Sequence, residues 1–310
     1  MEKKENKILV VGSVAFDVIF ELTSAIREQV SVEGGKAGKQ NLMFTAKGKE
    51  QFFGGTAGNI SYGLGILGAK PLLFSVAGKD FAQDYEKHLR KVGVDVKVKI
   101  ISEGWTGVYY GMTDTLGEQV GVWQPNAYGE HIGKTHLEAT INSDELKEVE
   151  VAIFSPGTPE STLMHMKEFR ELNKKARMIF DPGQSLMALY HKSQFAQALK
   201  IADIFISNDI EILHAKNHFG FALEETLREG KVVIETKGER GSIIFQDGKE
   251  PSLIPVFKPK KMVDPTGAGD AYRAGLLFGL SQGLSLRESA ISGAKVATRC
   301  IEKRGAQGYK

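Results

Sequence analysis

The chain has 310 residues, 42% hydrophobic and 25% charged, which suits one large folded body or one large body with a smaller appendage. Forty basic and 38 acidic side chains leave a formal net charge of +2, so there is no electrostatic footprint for nucleic acid or an anionic membrane. The single cysteine, Cys300, excludes an intrachain disulfide and a multi-cysteine metal site. The start MEKKENKILVVG lacks the pattern of a secretory leader, and no apolar run reaches the length of a membrane span. The expectation is a cytoplasmic protein with neither a nucleic-acid nor a membrane partner.

In chain order, Ile8 to Val11 is a short apolar run that ends in Gly12, as expected of a buried strand feeding a tight turn. Similar runs occur at Leu72 to Ala77, Val151 to Phe154, Met178 to Phe180, Ile204 to Ile206, Val232 to Ile234 and Ser242 to Phe245. Helix-length segments separate many of them: Asp80 to Val92, Thr162 to Lys174 and Leu186 to Lys200. This alternation predicts an α/β sandwich with a central, mostly parallel sheet and crossover helices. From Asp270 to Glu302 the chain reads as helical, with a break near Gly283.

Two stretches leave that rhythm. Residues 14–51 contain the polar segment SVEGGKAGKQ, whose Gly34 to Lys39 part reads as a solvated loop. Residues 94–125 read as short strands, VKVKII, GVYYGMTD and EQVGVWQ, with alternation that suits a half-exposed antiparallel sheet. The organisation predicted is one domain over 1–310, with a small β lid contributed by about 14–51 and 94–125.

The segment Asp264-Pro265-Thr266-Gly267-Ala268-Gly269-Asp270 precedes the helical pattern AYRAGLLFGLSQG. Gly267, Ala268 and Gly269 would then lie at a helix N-terminus, where free N–H groups and the helix dipole favour a phosphate. Asp270 would stand beside them, able to accept the proton of an attacking hydroxyl. The plainer reading is a turn with Asp270 as a helix cap. Gly129 to Thr135 resembles a phosphate-binding P-loop but is one residue short between its glycines, and GSVAFD lacks the dinucleotide fingerprint. The seven histidines are scattered and receive no catalytic role.

DPTGAGDAYRAG resembles the signature of the PfkB group of kinases, which includes ribokinase, fructokinase and adenosine kinase. Gly54-Gly55-Thr56-Ala57-Gly58-Asn59 resembles its partner signature, and Gly12-Ser13, Asn208 to Glu211 and Thr236 to Gly241 follow in family order. The resemblance implies a ribokinase-like three-layer sandwich with a β-sheet lid. GSVAFD, the RAG after Asp270, the DPGQ at Asp181 to Gln184 and the ending RGAQGY are most similar to bacterial adenosine kinases.

That resemblance implies transfer of the γ-phosphate of MgATP to the 5′-hydroxyl of adenosine, with ATP and Mg²⁺ required. Asp270 is implied as the catalytic base, with Gly267, Ala268 and Gly269 forming the anion hole. Asp17, Gly54, Gly55 and Asn59 would hold the ribose, with Ser13 close by. Tyr109 and Trp123 would flank adenine, and Gln184 would be a further nucleoside contact. Asn208, Thr236, Lys237, Gly238 and Gly241 would line ATP, and Glu211 would act on the metal through water. Each also has a plainer reading: turns for Asp17 and the Thr236 segment, caps for Asn59 and Asn208, lid packing for the two aromatics. Ribose, fructose or inosine remain alternative acceptors, and a nucleoside-binding protein without catalysis is a further alternative. The resemblance also allows a homodimer joined through the lids.

Overall fold

The computed structural model describes residues 7–28 and 42–310. The SVEGGKAGKQ segment lies outside the described residues. Nine strands form one sheet in the order β13-β12-β11-β10-β9-β8-β1-β4-β5. They are β1 (Lys7–Val11), β4 (Leu72–Gly78), β5 (Asp95–Ile101), β8 (Val149–Phe154), β9 (Arg177–Phe180), β10 (Ile204–Asn208), β11 (Val232–Thr236), β12 (Ser242–Phe245) and β13 (Ser252–Ile254). The run from β11 to β5 is parallel, whereas β12 pairs antiparallel with both β11 and β13.

The central strands are apolar on both faces because helices cover both. Successive side chains alternate between the two layers. Ile8 and Val10 join the core beneath helices Thr56–Ile66, Ala268–Ser281 and Leu286–Ile301. Leu9 and Val11 join the core beneath helices Pro159–Leu172 and Lys192–Ile201. Cys300 is fully buried in the first of these cores. No helix among the described residues is long and apolar enough to cross a membrane.

A second sheet has four strands in the order β3-β2-β6-β7: β2 (Ala15–Leu22), β3 (Ala46–Gly54), β6 (Gly107–Thr113) and β7 (Gln119–Gln124). The lid is mixed, because β2 and β6 run parallel while the outer pairs are antiparallel. The strand VKVKII, expected in the lid, is instead the edge of the main sheet, paired along its length with β4. Its alternation has the same cause in either place: Val96 and Val98 face the core while Lys99 is exposed. Period alone does not say which sheet an edge strand joins.

Two helices also differ from expectation. The helix predicted over Leu186 to Lys200 is two helices, Ser185–Ala188 and Lys192–Ile201, because His191 and Gln194 form a capping box that starts the second. The helix predicted from Asp80 begins only at Tyr85. Gly129 to Thr135 lies in helix Asn126–His131 and the 3₁₀ turn Ile132–Lys134 rather than in a strand-to-helix loop.

Candidate active site

The carboxyl ends of the parallel strands make one rim. Gly12 and Ser13 follow β1, Asp181 follows β9, and Asn208 ends β10 in register with Thr236 at the end of β11. Open α/β sheets bind ligands at this edge. Helix Ala268–Ser281 points its N-terminus there, after Gly267 at φ 78°. A Cβ on Gly267 would lie 2.4 Å from the Cβ of Ala306, so conformation and space both require glycine. No side chain caps this helix. Ala268 N–H donates to the Pro265 carbonyl at 3.2 Å, and the N–H groups of Gly269 and Asp270 have no carbonyl one turn back within the helix. The result is a positive helix end with donors for an anion. Asp264 braces the approach, accepting from Thr266 N–H at 2.9 Å and Gly305 N–H at 2.9 Å. Burial opposes its ionisation, but those bonds win and hold its carboxyl below the ordinary range.

Asp270 is a partly buried carboxylate that accepts from Asn59 Nδ2 at 2.8 Å. Burial raises it to about 6; Asn59 and the charge of Arg273 pull it down, and Asp181 pushes it up. Asp17 faces the same space from the lid. Burial, then the charge of Asp270, raises it to about 7. Gly54 makes room for it, since a Cβ there would lie 2.2 Å from Asp17 Oδ2.

Two acids raised above 3.8 mean that the folded protein holds protons more tightly than the unfolded chain. The associated stability is present in full below about pH 4 and is lost as pH rises through 6 and then 7. For Asp17 the loss is at most about 4 kcal/mol. Asp17→Asn is therefore expected to raise the melting temperature of the ligand-free protein at pH 8 and to leave it nearly unchanged at pH 4. A difference independent of pH, measured by calorimetry, would contradict this picture of Asp17.

The lid registers place Phe52, Asp17, Tyr109 and Trp123 in one row across four strands. Residues directly paired across strands share a face. Tyr109 and Trp123 therefore form one floor beside Asp17, rather than the two walls expected for a sandwiched base. Two glycines let the rings lie close to the sheet. A Cβ on Gly121 would lie 2.3 Å from the Tyr109 hydroxyl, and one on Gly107 would lie 2.7 Å from Trp123. Tyr109 is half-buried and donates to Gln119 Oε1 at 3.1 Å, while Trp123 is 43% exposed.

The remaining expected residues take the following places. Ser13 is buried, with its Oγ 3.5 Å from Thr56 Oγ1. Gly55, at φ 80°, starts the helix that carries Asn59. Asn59 has protein partners at both ends of its amide, Asp270 and Gln307. Gln184 is exposed at the start of helix Ser185–Ala188. Asn208 and Glu211 form a capping box, with Glu211 N–H donating to Asn208 Oδ1 at 2.8 Å and Asn208 N–H to Glu211 Oε2 at 2.9 Å. Ser207 Oγ also donates to Glu211 Oε2, at 2.7 Å. The plainer capping reading of this pair is thus realised, with Oε2 of Glu211 accepting from both Asn208 N–H and Ser207 Oγ.

Thr236 Oγ1 donates to the Ser207 carbonyl at 3.4 Å. Lys237 to Gly241 form the turn into β12, closed by Lys237 N–H donating to the Gly241 carbonyl at 2.8 Å. Gly238 has open space around it, whereas a Cβ on Gly241 would meet the Ile254 carbonyl at 2.2 Å. Lys237 pairs with Glu235 at 3.1 Å, which leaves the turn backbone as the open part of this segment.

The donor set suits MgATP. Mg²⁺ takes few protein carboxylates and relies on phosphate oxygens and water. Among the described residues, no cluster of three His, Cys, Asp or Glu side chains forms a metal cage. The uncapped helix end offers N–H donors of the kind a phosphate accepts.

Two features have no counterpart in the sequence reading of the site. Arg273, one turn beyond Asp270, is buried against Asp181 and donates to Gly269 O at 3.1 Å. Gln307, in the C-terminal tail, contacts Asn59. RAG, DPGQ and RGAQGY held these residues, but only the fold brings positions 181 and 273, or 59 and 307, together.

Comparison with known proteins agrees with this geometry. A model of the "pfkB family carbohydrate kinase" matches residues 5–309. A nucleoside kinase of Methanocaldococcus jannaschii is 28% identical over 311 residues, covering 99% of this chain and 94% of that protein. A crystal structure of the nucleoside kinase from that organism aligns with a TM-score of 0.84 at 28% identity, covering 97% of this chain and 93% of the other. The Burkholderia thailandensis nucleoside kinase in complex with inosine aligns with a TM-score of 0.80 at 26% identity and the same coverages. With the uncapped helix end and the paired acids, the match along the whole chain makes this protein a member of the pfkB carbohydrate kinase family, an ATP-dependent kinase of sugars or nucleosides.

Proposed function

We propose that the acceptor is a ribonucleoside, phosphorylated by MgATP at its 5′-hydroxyl to give a nucleoside monophosphate and ADP. The expectation of adenosine alone gives way to this wider class, with adenosine and inosine both inside it. The relatives named nucleoside kinases support the class, and none of them singles out adenosine. The observation that carries the reading is the lid row, in which Asp17 stands next to Tyr109 and Tyr109 next to Trp123. A carboxylate accepts two hydrogen bonds from a vicinal diol. Aromatic faces beside it match a planar base. A free sugar would use the first and leave the second idle.

In this mechanism Asp270 orients the 5′-hydroxyl and accepts its proton as the oxygen attacks the γ-phosphorus in line. The N–H groups of Gly267 and Gly269 receive the charge gathering on the transferred group, while Ala268, its own N–H turned to the Pro265 carbonyl, keeps the approach free of a large side chain. Bound Mg²⁺ supplies neutralising charge on the phosphates. Glu211 would hold that ion through water, while Asn208 and Thr236 would line the nucleotide side of the rim. The turn at Lys237, Gly238 and Gly241 borders ATP through its backbone, and Gln184 borders the nucleoside. The lid excludes water from the reacting atoms.

Trp105 and Trp123 are the chain's two tryptophans. In a Trp105→Phe protein, adenosine or inosine is expected to change the Trp123 fluorescence saturably, and ribose is not. Equal responses to ribose and nucleosides, or none to either, would contradict a base resting on the lid.

A further inference from the structure

The C-terminal tail reaches the catalytic centre through Gln307, which is 8% exposed. A chain of hydrogen bonds runs from there, and its direction follows from one end that admits no choice. The Gly54 carbonyl can only accept, so the Tyr85 hydroxyl 2.6 Å away donates its one proton to it. Tyr85 must then accept from Gln307, whose Nε2 lies 2.6 Å from it. The second hydrogen of that nitrogen goes to Asn59 Oδ1, at 2.9 Å. With its oxygen thus engaged, Asn59 turns Nδ2 toward Asp270 Oδ2, at 2.8 Å. Reversing the Gln307 amide would set oxygen against oxygen at Asn59.

We propose that Gln307 is a positioning residue for phosphoryl transfer: it fixes the Asn59 amide as a donor to Asp270 and so aims the catalytic carboxylate. This rests on the role given to Asp270 above. Two further observations support it. Both hydrogens of the Gln307 amide nitrogen are engaged, by Tyr85 and Asn59, and the side chain also interacts with the His88 ring, so it is held from more than one direction. The tail is also fixed on both sides of Gln307. Gly305 N–H donates to Asp264, Ala306 packs under Gly267, and the Tyr309 carbonyl accepts from the Tyr62 hydroxyl at 2.8 Å. Gln307 therefore approaches Asn59 from a rigid base.

The test uses Gln307→Met, which keeps the length of the side chain and cannot donate to Asn59. It is expected to lower kcat by about tenfold or more, with KM for MgATP within about threefold. Combined with Asn59→Ala, Gln307→Met should lower kcat no further, because its effect passes through Asn59. A kcat within about twofold of wild type, or losses that multiply in the double variant, would overturn the inference. A readout that needs no turnover separates this inference from the kinase reading. Side-chain amide protons of Asn59, followed by NMR in the ligand-free protein, should exchange slowly in wild type and fast in Gln307→Met. Equal exchange in both would overturn the inference even if no acceptor were phosphorylated. Wild-type protein that transfers no phosphate yet shows the exchange difference would sink the kinase reading alone.

Discussion

Asp270→Asn is expected to lower turnover by about 10²- to 10⁴-fold while ADP and ATP bind within a few-fold of wild type. The fold should tolerate the change, because the new amide can offer its oxygen to Asn59 Nδ2 where the carboxylate did. What disappears is the group that accepts a proton. In the wild-type protein that carboxyl titrates at about 6, so it is ionised at neutral pH and close enough to neutrality to act as a base. The rate should therefore fall as pH drops through about 6. The substitution also removes one of the two causes that raise Asp17, so the Asp17 carboxyl should ionise at lower pH in the variant. Single-turnover kinetics and nucleotide titration measure both halves of the expectation. Turnover near that of wild type would remove Asp270 from the role of base.

Arg273→Leu should produce the largest loss of stability. Arg273 is 7% exposed and its partner Asp181 is 1% exposed, and two bonds join them, one of them Arg273 Nη2 to Asp181 Oδ1 at 2.6 Å. Removing one member leaves an uncompensated buried charge, a loss of about 3–5 kcal/mol. Replacing both by apolar residues avoids that penalty, so Asp181→Leu with Arg273→Leu should be more stable in urea than Arg273→Leu alone. Arg273 also holds Gly269 through its carbonyl and lowers the Asp270 carboxyl by its charge. Its loss should move the acid limb of the rate profile to higher pH. A double variant no more stable than the single one would show that the pair is not coupled in this way.

The central strands of the body are legible in the sequence because burial on both faces makes each a continuous apolar run, as at Ile8 to Val11 and Ile204 to Ile206. The pattern of β5 does not say which sheet it joins, because an edge strand of the main sheet and a lid strand carry the same alternation. The turn into the helix N-terminus is legible because its parts lie within seven residues, from Asp264 to Asp270, and the helix follows at once. Its supports are not. Arg273 meets Asp181 and Gln307 meets Asn59 across the fold, and nothing local in either segment marks the partner. The lid aromatics lie between these cases. Their residue types suggested a base site, but only the register of β2, β6 and β7 shows that both face the same way.

The central claim is transfer of the γ-phosphate to the 5′-hydroxyl of a ribonucleoside. It is tested most directly by incubating the protein with MgATP and, separately, adenosine, inosine, cytidine, ribose and fructose, then measuring ADP release and identifying the phosphorylated product by ³¹P NMR. The account predicts a nucleoside 5′-monophosphate formed in step with ADP, at kcat/KM well above that for ribose or fructose. Faster turnover of a free sugar than of every nucleoside, or no acceptor-dependent ADP release at all, would contradict it.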